Sequence, residues 1–222
     1  MKKVFFLSAA LVLSITGFSQ LSFGLQGTGN LANASIKSEY DVSFTKKSNV
    51  LPAAGVVAQY DLGRHWSVRS GINFLQNGVT ASTVLDELSN LKVKMENKLN
   101  YVQVPVSLIY GVPVAGFRLY GGAGPYANYG ISGTSKATLS YTMPDENEFV
   151  EVEKVKAFKK EVDGGAGFKR FDWGVGAIAG IQLPNGIFAN LGYQLSLSNS
   201  QNSDAGGKYK NRGLQLTVGY LF

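Results

Sequence analysis

Cysteine is absent from this 222-residue chain, and histidine occurs once, as His65. Without cysteine there is no disulfide framework, thiolate nucleophile or cysteine-ligated zinc site. With one histidine, a Ser–His or Asp–His arrangement has a single candidate base, and a transition-metal site has too few ligands. The sequence motifs of serine hydrolases, zinc proteases and phosphate-binding loops are also missing. We therefore predict no enzyme activity, no metal and no cofactor, and we interpret His65, in "LGRHW", as an exposed turn residue.

Charge is scarce as well. Charged residues make up 16% of the chain, whereas about a quarter is typical of soluble domains. The net charge is +6, and no block of Lys and Arg with interleaved aromatic residues is present, so nucleic acid is not expected as a partner. Glycine, with 27 residues, and aromatic residues, at 12%, are abundant instead. This composition disfavours a soluble α/β enzyme, whose helices would carry more Leu, Glu and Lys.

Long apolar runs are confined to the N-terminus. The segment "MKKVFFLSAALVLSITGFSQ" has two lysines, an apolar run over residues 4–15 and the small residues Gly17 and Ser19. This pattern predicts a secretory signal peptide over residues 1–19, and an uncleaved membrane helix, which needs about 20 apolar residues, is the alternative. Cleavage after Ser19 would remove Lys2 and Lys3 and lower the net charge from +6 to +4. No later segment is apolar enough for a transmembrane helix, but a transmembrane β-barrel gives a weaker signal per strand.

Alternation of apolar and other residues with a period of two recurs through the rest of the chain. In "LQLTVGYLF", for example, Leu214, Leu216, Val218, Tyr220 and Phe222 fall on one face. The pattern predicts eight strands. They cover residues 21–29, 50–61, 66–74, 102–110, 117–129, 171–181, 187–197 and 214–222.

The predicted connections alternate between long and short. Long segments cover residues 32–49, 76–97, 130–168 and 199–210, and short ones cover 61–65, 111–116 and 183–186, the last with a hairpin-forming Asn-Gly. Short periplasmic turns and long external loops are typical of outer-membrane barrels. We therefore predict an all-β fold, an eight-stranded antiparallel up-and-down transmembrane β-barrel, over residues 20–222. Residues 82–97 and 144–165 are compatible with either a short helix or extensions of the strands.

A soluble sandwich or calycin-type barrel is the competing fold, since alternation alone does not distinguish inside from outside. The less apolar face of the predicted strands is rich in Gly, Ser, Asn and Gln, with scattered charge. A solvated face would carry many Lys and Glu residues. Small polar side chains fit the narrow interior of an eight-stranded barrel better.

Aromatic residues lie near the predicted strand ends, mostly beside the short turns. They are Trp66, Tyr110, Phe117, Phe171, Trp173, Tyr220 and Phe222. We interpret them as one interfacial girdle, with the general preference of aromatic residues for strands as the alternative.

Several polar residues are predicted to face the barrel interior. They are Arg69, Arg118 and Asp172, with Gln59, Gln103, Gln194 and Gln215. Charges in a narrow interior must be paired or hydrated. We predict that Arg69, Gln103, Arg118, Asp172 and Gln194 form a polar plug that locks the barrel, and the alternative is a narrow path for solutes or ions.

Five segments resemble a known family: "LNYVQVPVSLIYG", "LYGGAGPYANYG", "FDWGVGAIAGIQL", "IFANLGYQLSLSN" and "NRGLQLTVGYLF". They are similar to the PorT-like outer-membrane β-barrel family of Bacteroidota. The resemblance implies a small barrel in the outer membrane, and one type of member is linked to type IX secretion. It also implies that a terminal aromatic strand, here with Tyr220 and Phe222, is recognised by the assembly machinery. The family commonly has an acidic residue where this chain has Gln103, so a buried ion pair at that position does not carry over.

We therefore predict an integral outer-membrane protein, exported by the signal peptide, with a structural or interaction role through its long extracellular loops. Expected partners are outer-membrane lipid or lipopolysaccharide, the assembly machinery and an unidentified envelope protein. Loop lysines such as Lys154, Lys156, Lys159 and Lys160 are candidates for contact with lipopolysaccharide phosphates, with a merely solvated loop as the alternative. The competing functions are an accessory of envelope secretion or assembly, a narrow pore and a lipid-modifying enzyme.

Overall fold

The computed structural model describes residues 20–37, 45–86, 91–142, 148–160, 163–200 and 208–222. The predicted signal peptide lies outside these ranges. Among the described residues, no helix has the length and apolar character needed to cross a bilayer.

Most of the described chain forms strands. They are β1 (Leu21–Lys37), β2 (Thr45–Gly63), β3 (Trp66–Asn77), β4 (Val79–Asp86), β5 (Leu91–Val114), β6 (Phe117–Thr142), β7 (Glu148–Lys156), β8 (Phe171–Gln182), β9 (Ile187–Ser196) and β10 (Lys208–Leu221).

Eight of these strands close into a ring. The neighbours in order are β1, β2, β3, β5, β6, β8, β9 and β10, and β10 pairs with β1 from Gly24 opposite Leu221 to Lys37 opposite Lys208. All of the pairings are antiparallel. The predicted eight-stranded up-and-down barrel is thus confirmed, and closure leaves no edge strand in the ring.

Three tight connections lie at one end of the barrel, which we call the turn end. They are Arg64 and His65 after β2, Ala115 and Gly116 after β5, and residues 183–186 after β8. Ala115 and Gly116 both have positive φ, of 45° and 89°, as expected for a two-residue hairpin that follows the strand twist. β1 starts and β10 finishes at this same end, because Gly24 pairs with Leu221. The opposite end is called the loop end.

The strands continue farther toward the loop end than the sequence indicated. β4 pairs with β2 and β5, and β7 pairs with β6, so both lengthen hairpins beyond the ring. Residues 82–86, 91–97 and 148–156 are strand, so the helical alternative is wrong for the described parts of both ambiguous segments. The predicted loops were too long because the ladder of backbone hydrogen bonds persists where the apolar alternation stops.

The outer surface of the ring is apolar and the interior is mostly polar. Leu25, Val56, Ile72, Leu108, Leu191 and Leu216 are exposed on the outside, whereas Asn30, Gln59, Gln103, Asn128 and Asp172 are buried within. This arrangement is the reverse of a soluble barrel and fits strands that face lipid. The soluble sandwich considered above is therefore excluded by the orientation of the faces.

Candidate functional site

Arg69 of β3 lies inside the barrel toward the turn end, with 6% of its surface exposed. Its Nε and Nη2 donate to Gln59 Oε1 at 3.0 and 2.7 Å, and its Nη1 donates to the Tyr120 hydroxyl at 3.0 Å. The guanidinium carbon lies 4.8 Å from the centre of the Tyr120 ring and 4.6 Å from that of Phe188. The cation is thus held by an amide oxygen, a phenol and two aromatic faces.

Arg118 of β6 occupies the mouth of the barrel at the turn end. Its Nη1 lies 3.4 Å from Asp61 Oδ1, and its Nη2 donates to the carbonyl of His65 at 3.1 Å and to Ser67 Oγ at 3.4 Å. Asp61 also accepts a hydrogen bond from Gln59 at 3.1 Å. Arg118 therefore ties the first tight turn to the network around Arg69.

Asp172 of β8 is fully buried toward the loop end. Its Oδ1 accepts from the hydroxyls of Ser196 and Ser198, and its Oδ2 accepts from the amides of Asn128 and Asn211 at 3.1 and 3.2 Å. Both oxygens of the carboxylate are thus satisfied by uncharged donors from three other segments. The described residues include no cation paired with it.

Gln103 and Gln194 connect this centre across the barrel. Gln103 Nε2 donates to Asn128 Oδ1 at 2.9 Å and to Gln194 Oε1 at 3.0 Å, and Gln194 Nε2 reaches Gln103 Oε1 at 3.3 Å. The two amides therefore link β5 directly to β9 through the interior. All five residues of the predicted plug lie inside the barrel, in two groups rather than one: Arg69 and Arg118 toward the turn end, and Gln103, Asp172 and Gln194 toward the loop end.

An apolar cluster lies beyond Asp172 and covers the interior at the loop end. Leu75, Leu99 and Tyr101 point inward from β3 and β5, and Ala157 and Phe168 pack on them from the segment between β7 and β8. Backbone bonds hold this segment down, with Ala157 N donating to Gly133 O at 3.0 Å and Phe168 N donating to Ala157 O at 2.9 Å. The sequence contained no alternation that could reveal this cap, because the segment is irregular.

A cavity of about 80 Å³ remains between the two polar groups. Arg69, Asn73, Gln103, Asn190 and Gln194 are among the residues that line it. Because one water occupies about 10–15 Å³ by this measure, the cavity has room for several water molecules.

Sequence reasoning missed several interior partners. They are Tyr120, Asn128, Phe188, Asn190, Ser196, Ser198 and Asn211. The alternation of faces along each strand could have revealed some of them. Tyr120 and Asn128, for example, lie on the same face of β6 as Arg118, which was predicted to point inward. Phe188 would still have been misassigned, because a large aromatic residue on the minor face contradicts a polar interior.

His65 is half-buried rather than exposed as predicted. Its Nδ1 lies 3.0 Å from the carbonyl oxygen of Gly111, and its ring centre is 5.5 Å from that of Tyr110. The imidazole is thus tied to the backbone of the neighbouring hairpin. Within the described ranges there is no group of three or more His, Cys, Asp or Glu residues placed to hold a metal ion.

The exposed aromatic residues form two belts rather than the single girdle predicted. At the turn end, Trp66 and Tyr110 are cross-strand neighbours with ring centres 5.0 Å apart. The placement of Phe171 and Trp173 with them was wrong, because β8 begins at the loop end, where Phe171 pairs with Tyr129. One row in register contains Phe74, Val102, Tyr129 and Phe171. On β5 the two belts are separated by residues 102–110, a length that matches a tilted transmembrane strand of about 9–11 residues.

Tyr220 and Phe222, the predicted assembly signal, lie on the outside at the turn end, with 49% and 71% of their surfaces exposed. The backbone of Phe222 pairs with Phe23, its N donating to Phe23 O at 2.7 Å. The ring centres of the two aromatic residues are 6.4 Å apart. The last aromatic residues therefore belong to the seam between β10 and β1.

A closed antiparallel ring of eight strands, apolar outside and polar within, has the architecture of a small outer-membrane barrel. Residues 18–202 match the family model of the outer membrane protein beta-barrel domain. The chain belongs to this family of outer-membrane proteins. Among curated proteins, none matches the sequence.

Several solved structures match the chain over most of its length. Ail, the attachment invasion locus protein of Yersinia pestis, is 13% identical with a TM-score of 0.43, covering 91% of this chain and 97% of its own. Neisserial surface protein A is 14% identical, with a TM-score of 0.41 and coverage of 90% and 97%. OprG from Pseudomonas aeruginosa is 16% identical, with a TM-score of 0.39 and coverage of 91% and 94%. At these values the likeness concerns the fold alone, and the functional argument rests on the residues of this chain.

Proposed function

We propose that the protein is an integral outer-membrane barrel that is closed to solutes and acts through surfaces presented at its loop end. Its role is structural or interactive rather than enzymatic. The filled interior carries this proposal: two polar groups and an apolar cap leave a cavity of about 80 Å³. A closed interior leaves the external surfaces as the places where partners bind.

Conductance in planar bilayers tests the closed interior. Protein refolded in detergent, with heat-modifiable gel mobility as the check on folding, is expected to give no conductance steps. A sixteen-stranded porin reconstituted in parallel is the positive control, since porins of that size enclose an aqueous channel. Steady conductance that changes in Arg69→Gln or Arg118→Gln would overturn the closed barrel and favour the narrow path.

The proposed location is the outer membrane after export by the N-terminal signal. The protein is expected to remain in the detergent-soluble fraction of the envelope, and its mature chain to begin at Gln20. N-terminal sequencing of the envelope protein measures the cleavage site. Recovery as a soluble periplasmic protein would contradict the membrane location.

An accessory role in envelope secretion or assembly is the second candidate function. The resemblance of segments such as "LNYVQVPVSLIYG" to PorT-like proteins favours it. Cross-linking in intact envelope followed by pull-down would then recover a stoichiometric envelope protein that contacts the loop end. Recovery of lipid and assembly factors alone would leave the closed barrel as the supported role.

A further inference from the structure

The hairpin extensions at the loop end have two unlike faces. In the sheet of β5, β6 and β7, Glu96 pairs with Lys136, which pairs with Lys154, and Lys98 pairs with Thr134, which pairs with Lys156. Side chains of directly paired residues lie on the same face of a sheet. The resulting basic surface, which we call the lysine face, comprises Lys92, Lys94, Lys98, Lys136, Lys154 and Lys156.

The other face of the same sheet differs in composition. It carries Val93, Met95, Ala137 and Leu139, together with Glu151 and Glu153. The division into a basic and a mixed apolar face follows from strict alternation along each strand. It is not an even scatter of charge such as a solvated hairpin would show.

The lysine face continues the lipid-facing surface of the barrel. Along β5, the outer face carries Tyr110, Leu108, Val106 and Val104, which are all exposed. Because every second residue of a strand lies on the same face, Asn100 and Lys98 lie on this outer face as well. The alternation along β5 is not interrupted by the register shift beside Asn100, because the extra residue there is Ile131 of β6. Lys98 lies four residues beyond Val102 of the aromatic row, about 13 Å along the strand. The lysines therefore point sideways over the membrane boundary rather than toward the medium.

Glu96 lies among these lysines on the same face. Lys94 Nζ lies 2.6 Å from its Oε1. The pKa of Glu96 is lowered, mainly by the hydrogen bond from Lys94. Burial opposes this shift, and the charges of Lys94, Lys136 and Lys98 each add a smaller lowering. Several cations thus act on Glu96, and the six lysines of this face outnumber its two described carboxylate positions, Glu96 and Glu148.

A groove of about 650 Å³ opens at the foot of the lysine face. Lys98, Lys156, Lys159 and Arg170 line it, and its described lining contains no carboxylate. Arg170 is held in place by a hydrogen bond from Nη1 to Gly130 O at 2.8 Å, and its guanidinium carbon is 5.4 Å from the centre of the Phe158 ring. The groove combines oriented cations with an aromatic wall next to the loop-end belt.

We propose that the lysine face and this groove bind the phosphate groups of lipid in the outer leaflet, as on the sugar headgroup of lipopolysaccharide. This inference rests on the proposed function and names the partner of the loop-end surface. Lysine and arginine form charge-assisted hydrogen bonds with phosphate oxygens. Lateral orientation and continuity with the lipid-facing surface favour a membrane lipid over a soluble polyanion, which would approach from above.

Native mass spectrometry of the folded full-length chain in detergent tests the assignment. The probes are bisphosphorylated lipid A, the same lipid after removal of its phosphates, and inositol hexakisphosphate as a soluble polyanion. The wild type is expected to bind the phosphorylated lipid at least about tenfold more tightly than the dephosphorylated lipid. This preference should weaken as salt is raised, because the contacts are partly exposed.

The test variant combines Lys98→Gln, Lys136→Gln and Lys156→Gln and is expected to lose the preference. A matched control removes three charges elsewhere, through Arg64→Asn, Lys169→Gln and Lys210→Gln, and should retain it. The charge-conserving set Lys98→Arg, Lys136→Arg and Lys156→Arg should also bind. If the triple variant does not reach the heat-modifiable form, Lys156→Gln alone is expected to weaken binding by about two- to fivefold.

Three outcomes would overturn the inference: no preference for the phosphorylated lipid in the wild type, full binding by the triple variant, or equally tight binding of inositol hexakisphosphate. The conductance test is independent. A closed barrel without lipid preference would leave the proposed function standing, and a conducting barrel that prefers phosphorylated lipid would overturn the closed interior but keep the lysine face.

Discussion

Arg69 and Asp172 are both buried inside the barrel, and each is hydrogen-bonded to uncharged groups rather than to an opposite charge. The two residues lie at different heights along the barrel, as their positions relative to β5 show. Arg69 is opposite Ser107 of β5, whereas Asp172 is opposite Asn128, which is opposite Gln103 of β5. Those β5 positions are four residues, or about 13 Å of strand, apart. Because a buried charge is tolerated only when its hydrogen-bonding capacity is met, each site was built with its own set of neutral partners.

Asp172 should accept Asn but not Ala. In Asp172→Asn, the amide oxygen can still accept from Asn128 and Asn211, and the amide nitrogen can donate to the serine hydroxyls, which also act as acceptors. We expect a change of about 1 kcal/mol or less in the free energy of unfolding for Asn, and a loss of at least about 3 kcal/mol for Ala, which orphans four donors. Urea unfolding of the refolded barrel in detergent measures both. Equal losses in the two variants would show that the negative charge itself is required.

Arg69→Lys is expected to destabilise the barrel by about 1–3 kcal/mol although it conserves the charge. The ammonium group cannot make the paired contacts from Nε and Nη2 to Gln59 Oε1 while remaining between the rings of Tyr120 and Phe188. Arg64→Lys in the exposed turn is the control and should change stability by less than about 0.5 kcal/mol. Urea unfolding measures both variants. An unchanged midpoint for Arg69→Lys would contradict a stabilising role of the guanidinium contacts.

Gly111→Ala should displace Arg118. A Cβ at position 111 would lie 2.2 Å from Arg118 Nε, so the guanidinium would have to leave Asp61 and the His65 carbonyl. We expect a loss of about 1–2 kcal/mol from these contacts. Gly29→Ala is the control, since nothing lies within 4 Å of its added Cβ, and it should be neutral or slightly stabilising. Comparable losses at the two glycines would point to a general backbone effect.

Tyr220→Ala and Phe222→Ala are expected to reduce the assembled fraction of the protein in the outer membrane. Both side chains are exposed at the turn end, where β10 meets β1, and the resemblance to PorT-like barrels implies that such a strand is recognised during assembly. The heat-modifiable fraction in isolated envelopes is the measurement. Phe171→Ala, in the other belt, is the matched control. Equal reduction in all variants would indicate lost lipid contact rather than a lost signal.

Lys94→Gln should raise the pKa of Glu96 toward its usual value of 4.5. The hydrogen bond from Lys94 is the largest cause of the lowered pKa, so its removal leaves the weaker effects of Lys136 and Lys98. A carboxyl group whose pKa is lowered by folding stabilises the folded state above its unfolded pKa, and this contribution is lost as the pH falls through the lowered value. Carboxyl NMR titration in detergent measures the pKa, and no change on substitution would contradict the assigned cause.

Much of the barrel could be predicted because its strands are locally encoded. Each predicted span lies largely within an observed strand, as with 66–74 in Trp66–Asn77 and 187–197 beside Ile187–Ser196. Errors concentrated beyond the membrane boundary, where residues 130–142 continue β6 with polar side chains. Apolar alternation reports the lipid-facing part of a strand, whereas the backbone ladder requires no apolar residues.

The aromatic belts show a different limit of sequence reasoning. Trp173 and Tyr110 each lie near the end of a strand, but successive strands of an up-and-down barrel run in opposite directions. Assigning an aromatic residue to one membrane boundary therefore requires the direction of its strand as well as its place within it. The pairing of Phe171 with Tyr129 showed that Phe171 belongs to the belt at the loop end.

The sequence by itself determined the class of fold, the number of strands in the ring, the short turns and the inward orientation of Arg69, Gln103, Arg118, Asp172 and Gln194, because all of these follow from local periodicity and turn chemistry. Only the tertiary structure decided which inward residues meet. It separated Arg69 from Asp172, brought Phe168 over the loop-end mouth and aligned Lys98 with Lys156. These relationships depend on register between strands distant in sequence, and register is a property of the closed ring as a whole.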